Sequence, residues 1–258
     1  MEDKDYIKSL EKALNLMGLL SRHGSALNLE NLVKISGLKK TSCFRILQTL
    51  TRSGFVAKDP DTGGYSIGPR MITIGLAALE NKGVRELALP VMKEIREKTG
   101  ATVNLAILSG SEVIFVERLQ STHIIETNLR IGSRLPAYCS SMGKAILAYL
   151  PEPELEAILK QLRFEKKTEK TIASIKALKD ELGGIRLKGF ALNDEELATG
   201  LFAIAAPVRD HTGVAVAAIN ISFPLMRHSK QEAMKIFLPL VLEASRKISS
   251  ILGFKGER

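Results

Sequence analysis

Tryptophan is absent, cysteine occurs twice and histidine four times in 258 residues, and aromatics make up 5%. The two cysteines, Cys43 and Cys139, lie far apart and form neither a disulfide framework nor a zinc spacing, which points to a reducing cytoplasm. His23, His123, His211 and His228 show no metal-ligand spacing, and HExxH is missing, so no metal is expected. A P-loop, a GxGxxG after a strand and a GxSxG elbow are also missing, so neither a cofactor nor a catalytic residue is expected. With so few aromatics, a single-strand or RNA binder built on stacked bases is disfavoured. No apolar run approaches the roughly eighteen residues that span a bilayer. Met1–Asp5 is acidic and does not open a signal peptide.

What is present suits a folded protein of two domains. Hydrophobic residues make up 45% and charged residues 25%, with a net charge of +9. That charge favours an anionic partner, nucleic acid among others.

Apolar residues at Ile7, Leu10, Ala13, Leu14, Met17 and Leu20 predict a helix with one inward face. A short helix opens at Asn28 and stops at Ser36-Gly37. A third runs from Lys39 or Lys40 to about Ser53, with Cys43, Ile46, Leu47 and Leu50 inward. Phe55–Lys58 and Tyr65–Ile67 read as strands around the turn-rich Asp59–Gly64. Helix, turn, helix and hairpin make a winged helix-turn-helix over residues 1–68, whose second motif helix enters the major groove of double-stranded DNA. The outward residues of that helix, Lys40, Thr41, Phe44, Arg45, Gln48, Thr49 and Arg52, with Ser42 on its first turn, are the candidate DNA contacts. Arginine and glutamine suit base edges, and lysine, serine and threonine suit phosphates. Phe44 fits either a thymine methyl or the wing. Between Glu30 and Asp59 stand Lys34, Lys39, Lys40, Arg45, Arg52 and Lys58 without one acid, as a phosphate-facing surface requires.

Residues 69–82 read as a linker helix whose apolar Met71, Ile72, Gly75, Leu76 and Leu79 suit a partner subunit. Residues 83–258 combine helices (84–98, 140–150, 153–161, 174–188, 229–252) with strands (102–108, 113–118, 124–128, 201–208, 214–223). Helices flanking a mainly antiparallel sheet make an α+β fold. Asp194-Glu195-Glu196 offers consecutive acids that point different ways and reads as a solvated helix start rather than a catalytic pair.

Four stretches resemble the IclR family of transcriptional regulators: Glu11-Lys12-Ala13-Leu14; Ser36 to Leu47 with Gly54-Phe55-Val56; Gly132 to Ala148 around Ser140-Ser141-Met142-Gly143-Lys144; and Asn193-Asp194-Glu195-Glu196 with Gly200 and Ala203–Val208. The third is most similar to the branch that governs aromatic-acid catabolism through the β-ketoadipate pathway. The resemblance implies a winged helix that binds an operator, a GAF-like domain that binds a small metabolite, and a homodimer or homotetramer; a two-fold protein is expected to read a near-palindromic site. It places the effector pocket at Ser141, Met142, Asn193, Ala203, Asn220 and Ser222, of which only Ser222 keeps the polar group of the glyoxylate- and pyruvate-binding members. Ser140–Gly143 opens a helix, so the N–H groups of Ser141 and Met142 are expected to hold a carboxylate. Ala203 and Met142 are expected to leave room for an aromatic ring. The alternatives are an effector-independent DNA or RNA binder and an enzyme on the second domain.

Overall fold

In the computed structural model, which describes residues 6–23, 25–80 (backbone alone over 76–80), 83–121, 129–226 and 228–256, the chain separates into two units, Met1–Asn81 and Lys82–Arg258. The first contains α1 (Lys8–His23), α2 (Leu29–Ser36), α3 (Lys40–Arg52), the hairpin β1 (Val56–Lys58) and β2 (Tyr65–Ile67), and α4 (Arg70–Glu80). Asn28 caps α2 by accepting the Asn31 N–H at 2.8 Å, and Gly37 ends it at φ 68°. Cys43, Leu47 and Leu50 turn α3 onto Leu16, Leu20, Leu32, Val56 and Tyr65. The wing pairs Val56 with Ile67 and Lys58 with Tyr65. Its turn is fastened by Asp59, whose carboxylate accepts the N–H groups of Thr62 and Asp61, both at 2.9 Å, and is thereby held below its ordinary pKa.

Helix α1 departs from the expected single inward face. Leu16 and Leu20 are buried, whereas Ile7, Leu10 and Leu14 are 54–61% exposed. The periodicity is helical, but spacing alone does not say which of two apolar faces meets the core.

The second unit holds α5 (Val84–Thr99), β3 (Thr102–Ser109), β4 (Glu112–Leu119), β5 (Arg134–Pro136), a 3-10 turn (Ala137–Cys139), α6 (Ser141–Leu147), α7 (Glu152–Leu159), α8 (Ile175–Lys188), β6 (Ala191–Asp194), β7 (Leu201–Arg209), β8 (Ala215–Pro224) and α9 (Lys230–Ile251). The short strands β5 and β6 are not among the expected ones, and the strand expected at 124–128 lies outside the described residues. The sheet order is β5-β4-β3-β8-β7-β6, every pair antiparallel. Helices α5 and α9 cover one face, and α6 lies across the other. The α6 face includes Ala106, Phe115, Ala205 and Ala218, packed with Met142, Ile146 and Leu147.

Gly143 is what lets α6 seat. A Cβ there would fall 2.3 Å from the Ala137 carbonyl oxygen and 2.4 Å from its Cα, both backbone atoms with little freedom to move. Gly183 and Gly184 on α8 meet nothing within 4 Å. Gly143→Ala is therefore expected to destabilise the second unit by about 1–3 kcal/mol through overpacking. Gly184→Ala is expected to stabilise it by roughly 0.4–1 kcal/mol by restricting the unfolded chain. Calorimetric melting of the two variants checks the pair, and equal melting temperatures would contradict this seating of α6.

Candidate nucleic-acid interface and effector cavity

On α3 the expected contact residues share the outer surface. Lys40, Thr41, Phe44, Arg45, Thr49 and Arg52 are exposed, and Ser42 and Gln48 are half-buried. Thr49 Oγ1 donates to the Arg45 carbonyl at 3.0 Å, which occupies its hydroxyl within the helix. Phe44 is 43% exposed, so the core does not use its ring. Lys34, Lys39, Lys40, Arg45, Arg52 and Lys58 are all exposed, leaving a continuous stretch of sequence that presents cations and no carboxylate.

In the second unit the six expected effector residues line one small cavity of about 40 Å³: Ser141, Met142, Asn193, Ala203, Asn220 and Ser222. Sheet register brings them together. Asn220 and Ser222 are two apart on β8 and point to the same face. Asn104 stands opposite Asn220, Ala203 opposite Ser222, and Asn193 opposite Ala203, so polar residues from β3, β8 and β6 meet under α6.

Asn104 Nδ2 donates to Asn220 Oδ1 at 2.7 Å and to Ser222 Oγ at 3.2 Å. Asn220 Nδ2 donates to Ser141 Oγ at 3.3 Å, and Arg118 Nη1 donates to Asn104 Oδ1 at 2.8 Å. Asn193 is 2% exposed and donates through Nδ2 to the Cys139 carbonyl at 2.8 Å. No described group donates to its Oδ1. The Cys139 carbonyl can only accept, so it fixes the amide's orientation and leaves the oxygen as the free end.

Asn104, Phe115, Arg118, Leu129, Leu135, Ser140, Leu197 and Leu201 complete the lining; of these only Ser140, at the helix start, was expected near the pocket. Asn104 carried a signal, as an amide inside the otherwise apolar run Val103–Leu108. Arg118 carried none, because its place depends on pairing across the sheet. A second cavity of about 670 Å³ shares Arg118, Leu201 and Ser222 with the first and adds Thr102, Ser121, Thr199, Phe223 and His228 among its walls. The expectation of an aromatic ring between Ala203 and Met142 is not met. An engineered cavity that admits benzene measures about 150 Å³, and Phe115, Leu129 and Leu135 close the inner cavity well below that.

Among the described residues the charges of the two linings are one-sided. Neither lining contains an aspartate or glutamate among the described residues, and both contain Arg118. Burial draws Arg118 below its ordinary pKa, yet a guanidinium remains charged at neutral pH. Asp194-Glu195-Glu196 is no solvated helix start. Asp194 ends β6, Glu195 sits at φ 63°, and Glu196 is buried against the Lys144 ammonium. Cys139 is no nucleophile at neutral pH, since burial pushes its thiol up to about 11, and burial raises Cys43 as well. Among the described residues no group of three metal-ligating side chains converges, and no helix is long and apolar enough to cross a membrane.

Two family models match in succession, the IclR helix-turn-helix domain over residues 9–60 and the bacterial transcriptional regulator IclR C-terminal domain over residues 76–250. The HTH-type transcriptional regulator BhcR of Paracoccus denitrificans (strain Pd 1222) is 32% identical over 96% of this chain and 88% of its own length. The HTH-type transcriptional regulator KdgR of Escherichia coli (strain K12) is 31% identical over 95% and 94%. The crystal structure of an IclR transcriptional regulator from Alicyclobacillus acidocaldarius superposes with a TM-score of 0.81 at 26% identity, covering 95% of this chain and 98% of that one. With a helix-turn-helix and an α+β sheet unit in the same order as the two family models, and relatives matched over at least 95% of its length, the chain belongs to the IclR family of bacterial transcriptional regulators.

Proposed function

We propose that this IclR-family regulator reads its operator with the outer face of α3 and senses an organic anion in the paired cavities of its second unit. The observation that carries the effector reading is the charge of those walls: one guanidinium, amides and hydroxyls, and no carboxylate among the described residues. An anion there gains an ionic hydrogen bond to a partly desolvated arginine, worth roughly twice a neutral one. Ser141, Met142, Asn193, Ala203, Asn220 and Ser222 are the proposed effector contacts, with Arg118 added. The N–H groups of Ser141 and Met142 play a lesser part than Arg118, because α6 has seven residues and Ser140 already caps it by accepting the Gly143 N–H. Aromatic acids of the β-ketoadipate branch belong in the ligand panel beside pyruvate and glyoxylate.

Two copies are proposed to act together on a near-palindromic site in double-stranded DNA, since one recognition helix reads too few base pairs for useful specificity. The outer stripe of α1 (Ile7, Leu10, Leu14) and the exposed Ile72 and Ile74 of α4 supply apolar surface for a second copy. Leu76, which the sequence also put on that surface, lies outside the described side chains.

Arg45→Ala is expected to weaken binding to the protein's own upstream DNA by about 1–3 kcal/mol, with no change in melting temperature. Lys40→Ala is expected to weaken specific and scrambled DNA alike and to reduce the salt slope by about one. Fluorescence anisotropy across a salt series measures both. Unchanged affinity in the Arg45 variant would remove α3 from the major groove.

Light scattering behind size exclusion is expected to give at least a dimer at about 10 µM, and Leu10→Glu with Leu14→Glu to reduce the assembly. A wild-type monomer with DNA present would rule the arrangement out.

A further inference from the structure

We infer that the effector is a hydroxylated carboxylic acid: its hydroxyl enters the inner cavity and donates to Asn193 Oδ1, its carboxylate lies on Arg118 where the two cavities share a wall, and its remaining atoms occupy the outer cavity. The inference rests on the effector reading above and names the ligand class within it.

Volume sets the first constraint. About 40 Å³ admits one or two heavy atoms, and about 670 Å³ admits a whole metabolite. The body of any ligand larger than a few atoms therefore lies outside, and only a head group goes in. Arg118 and Ser222 belong to both walls, so the two cavities adjoin at these side chains.

Hydrogen-bond accounting sets the second constraint. Asn104, Asn220, Ser222 and Ser141 satisfy one another in a chain. Asn193 is different. Its amide nitrogen is committed to the Cys139 carbonyl, and its buried oxygen has no described donor. A buried acceptor left unpaired carries its full desolvation penalty, so the head group that gains most is a neutral donor. A keto oxygen or a carboxylate would set acceptor against acceptor. An ammonium would satisfy Asn193 but would bring a cation beside Arg118. A hydroxyl satisfies both.

The test is calorimetric titration of the full chain with matched ligands that differ in one group. The probes are mandelate against phenylacetate, α-methoxyphenylacetate, phenylglyoxylate and mandelamide; lactate against propionate, pyruvate and lactamide; and gluconate against 2-ketogluconate. The tightest ligand is expected to be a hydroxylated acid that loses at least about tenfold in affinity when the hydroxyl becomes hydrogen, methoxy or keto, and a similar factor when the carboxylate becomes an amide. Asn193→Ala is expected to bring the hydroxylated acid down to its deoxy partner while moving the deoxy acid less than about threefold. Arg118→Gln is expected to weaken both acids alike and to leave the amide unchanged. The ligand-side comparison on wild-type protein stands even if a variant fails to fold. A keto or deoxy acid that binds as tightly as its hydroxylated partner overturns the inference, as does a preference that survives Asn193→Ala, or a panel that stays silent to about 10 mM. If a keto or neutral ligand binds and Asn220→Ala with Ser222→Ala erases it, the effector site stands and the hydroxyl assignment falls. If binding survives those substitutions, both fall.

Discussion

A lysine ammonium buried at 1% exposure must be neutralised, and the geometry of the proposed effector cavity depends on how Lys144 achieves this. From the interior of α6 it pairs with Glu196, on the segment between β6 and β7, and with Glu181 of α8 at 3.2 Å. Removing one partner of such a pair costs about 3–5 kcal/mol, because the other is left as an uncompensated charge. The pair therefore ties α6 to residues 194–200, and those residues wall both cavities through Leu197, Ala198, Thr199 and Gly200. Further fastenings act on the same segment. Thr171 donates to the Glu196 carbonyl at 2.7 Å, and Lys170 lies 2.6 Å from the Glu195 carboxylate. That carboxylate, bonded by Lys170 first and then by the Gly200 N–H, is held down to about 2. A glutamate at φ 63° is uncommon and is kept there by this surrounding network.

A sheet interior is an expensive place for amides, and Asn104, Asn193 and Asn220 are each 5% exposed or less. The cost is met where the groups satisfy one another, as Asn104 and Asn220 do across β3 and β8. Where it is not met, at Asn193 Oδ1, the shortfall lies in the cavity wall, where a ligand can supply the missing donor. The fold thus keeps one unmet hydrogen bond at a residue that lines the proposed effector cavity.

Local signals in the chain reached far into this arrangement. Turn and cap chemistry at Asn28, Gly37, Gly54 and Asp59–Gly64 located the winged helix, because each acts over a few residues. Helices α5 and α9 could be followed through Pro90 and Pro239, since apolar residues at helical spacing outweigh a single lost hydrogen bond. The exposed face of α1 was misassigned because two apolar faces share one period. Strands β5 and β6 are three and four residues long, too short for alternation to register. The six pocket residues came from family resemblance, not from spacing. Asn104 stood out as an amide in an apolar run, but its place in the cavity, like that of Arg118, became visible only once β3 was seen to pair with β4 and β8, contacts that span up to 118 residues. The sequence shows that polar residues sit on strands, but not which strands are neighbours.

If ligand binding in the second unit governs the DNA-binding unit, the two affinities are linked, and linkage is reciprocal. The most direct measurement is a titration of the protein's own upstream duplex with and without the ligand that binds best, repeated with Asn220→Ala and Ser222→Ala. The wild-type operator affinity should change by roughly five- to 150-fold on saturation, and the same ligand concentration should leave the doubly substituted protein unchanged. A ligand that saturates the cavity and leaves operator affinity where it was would contradict the assignment of this cavity as the regulatory site.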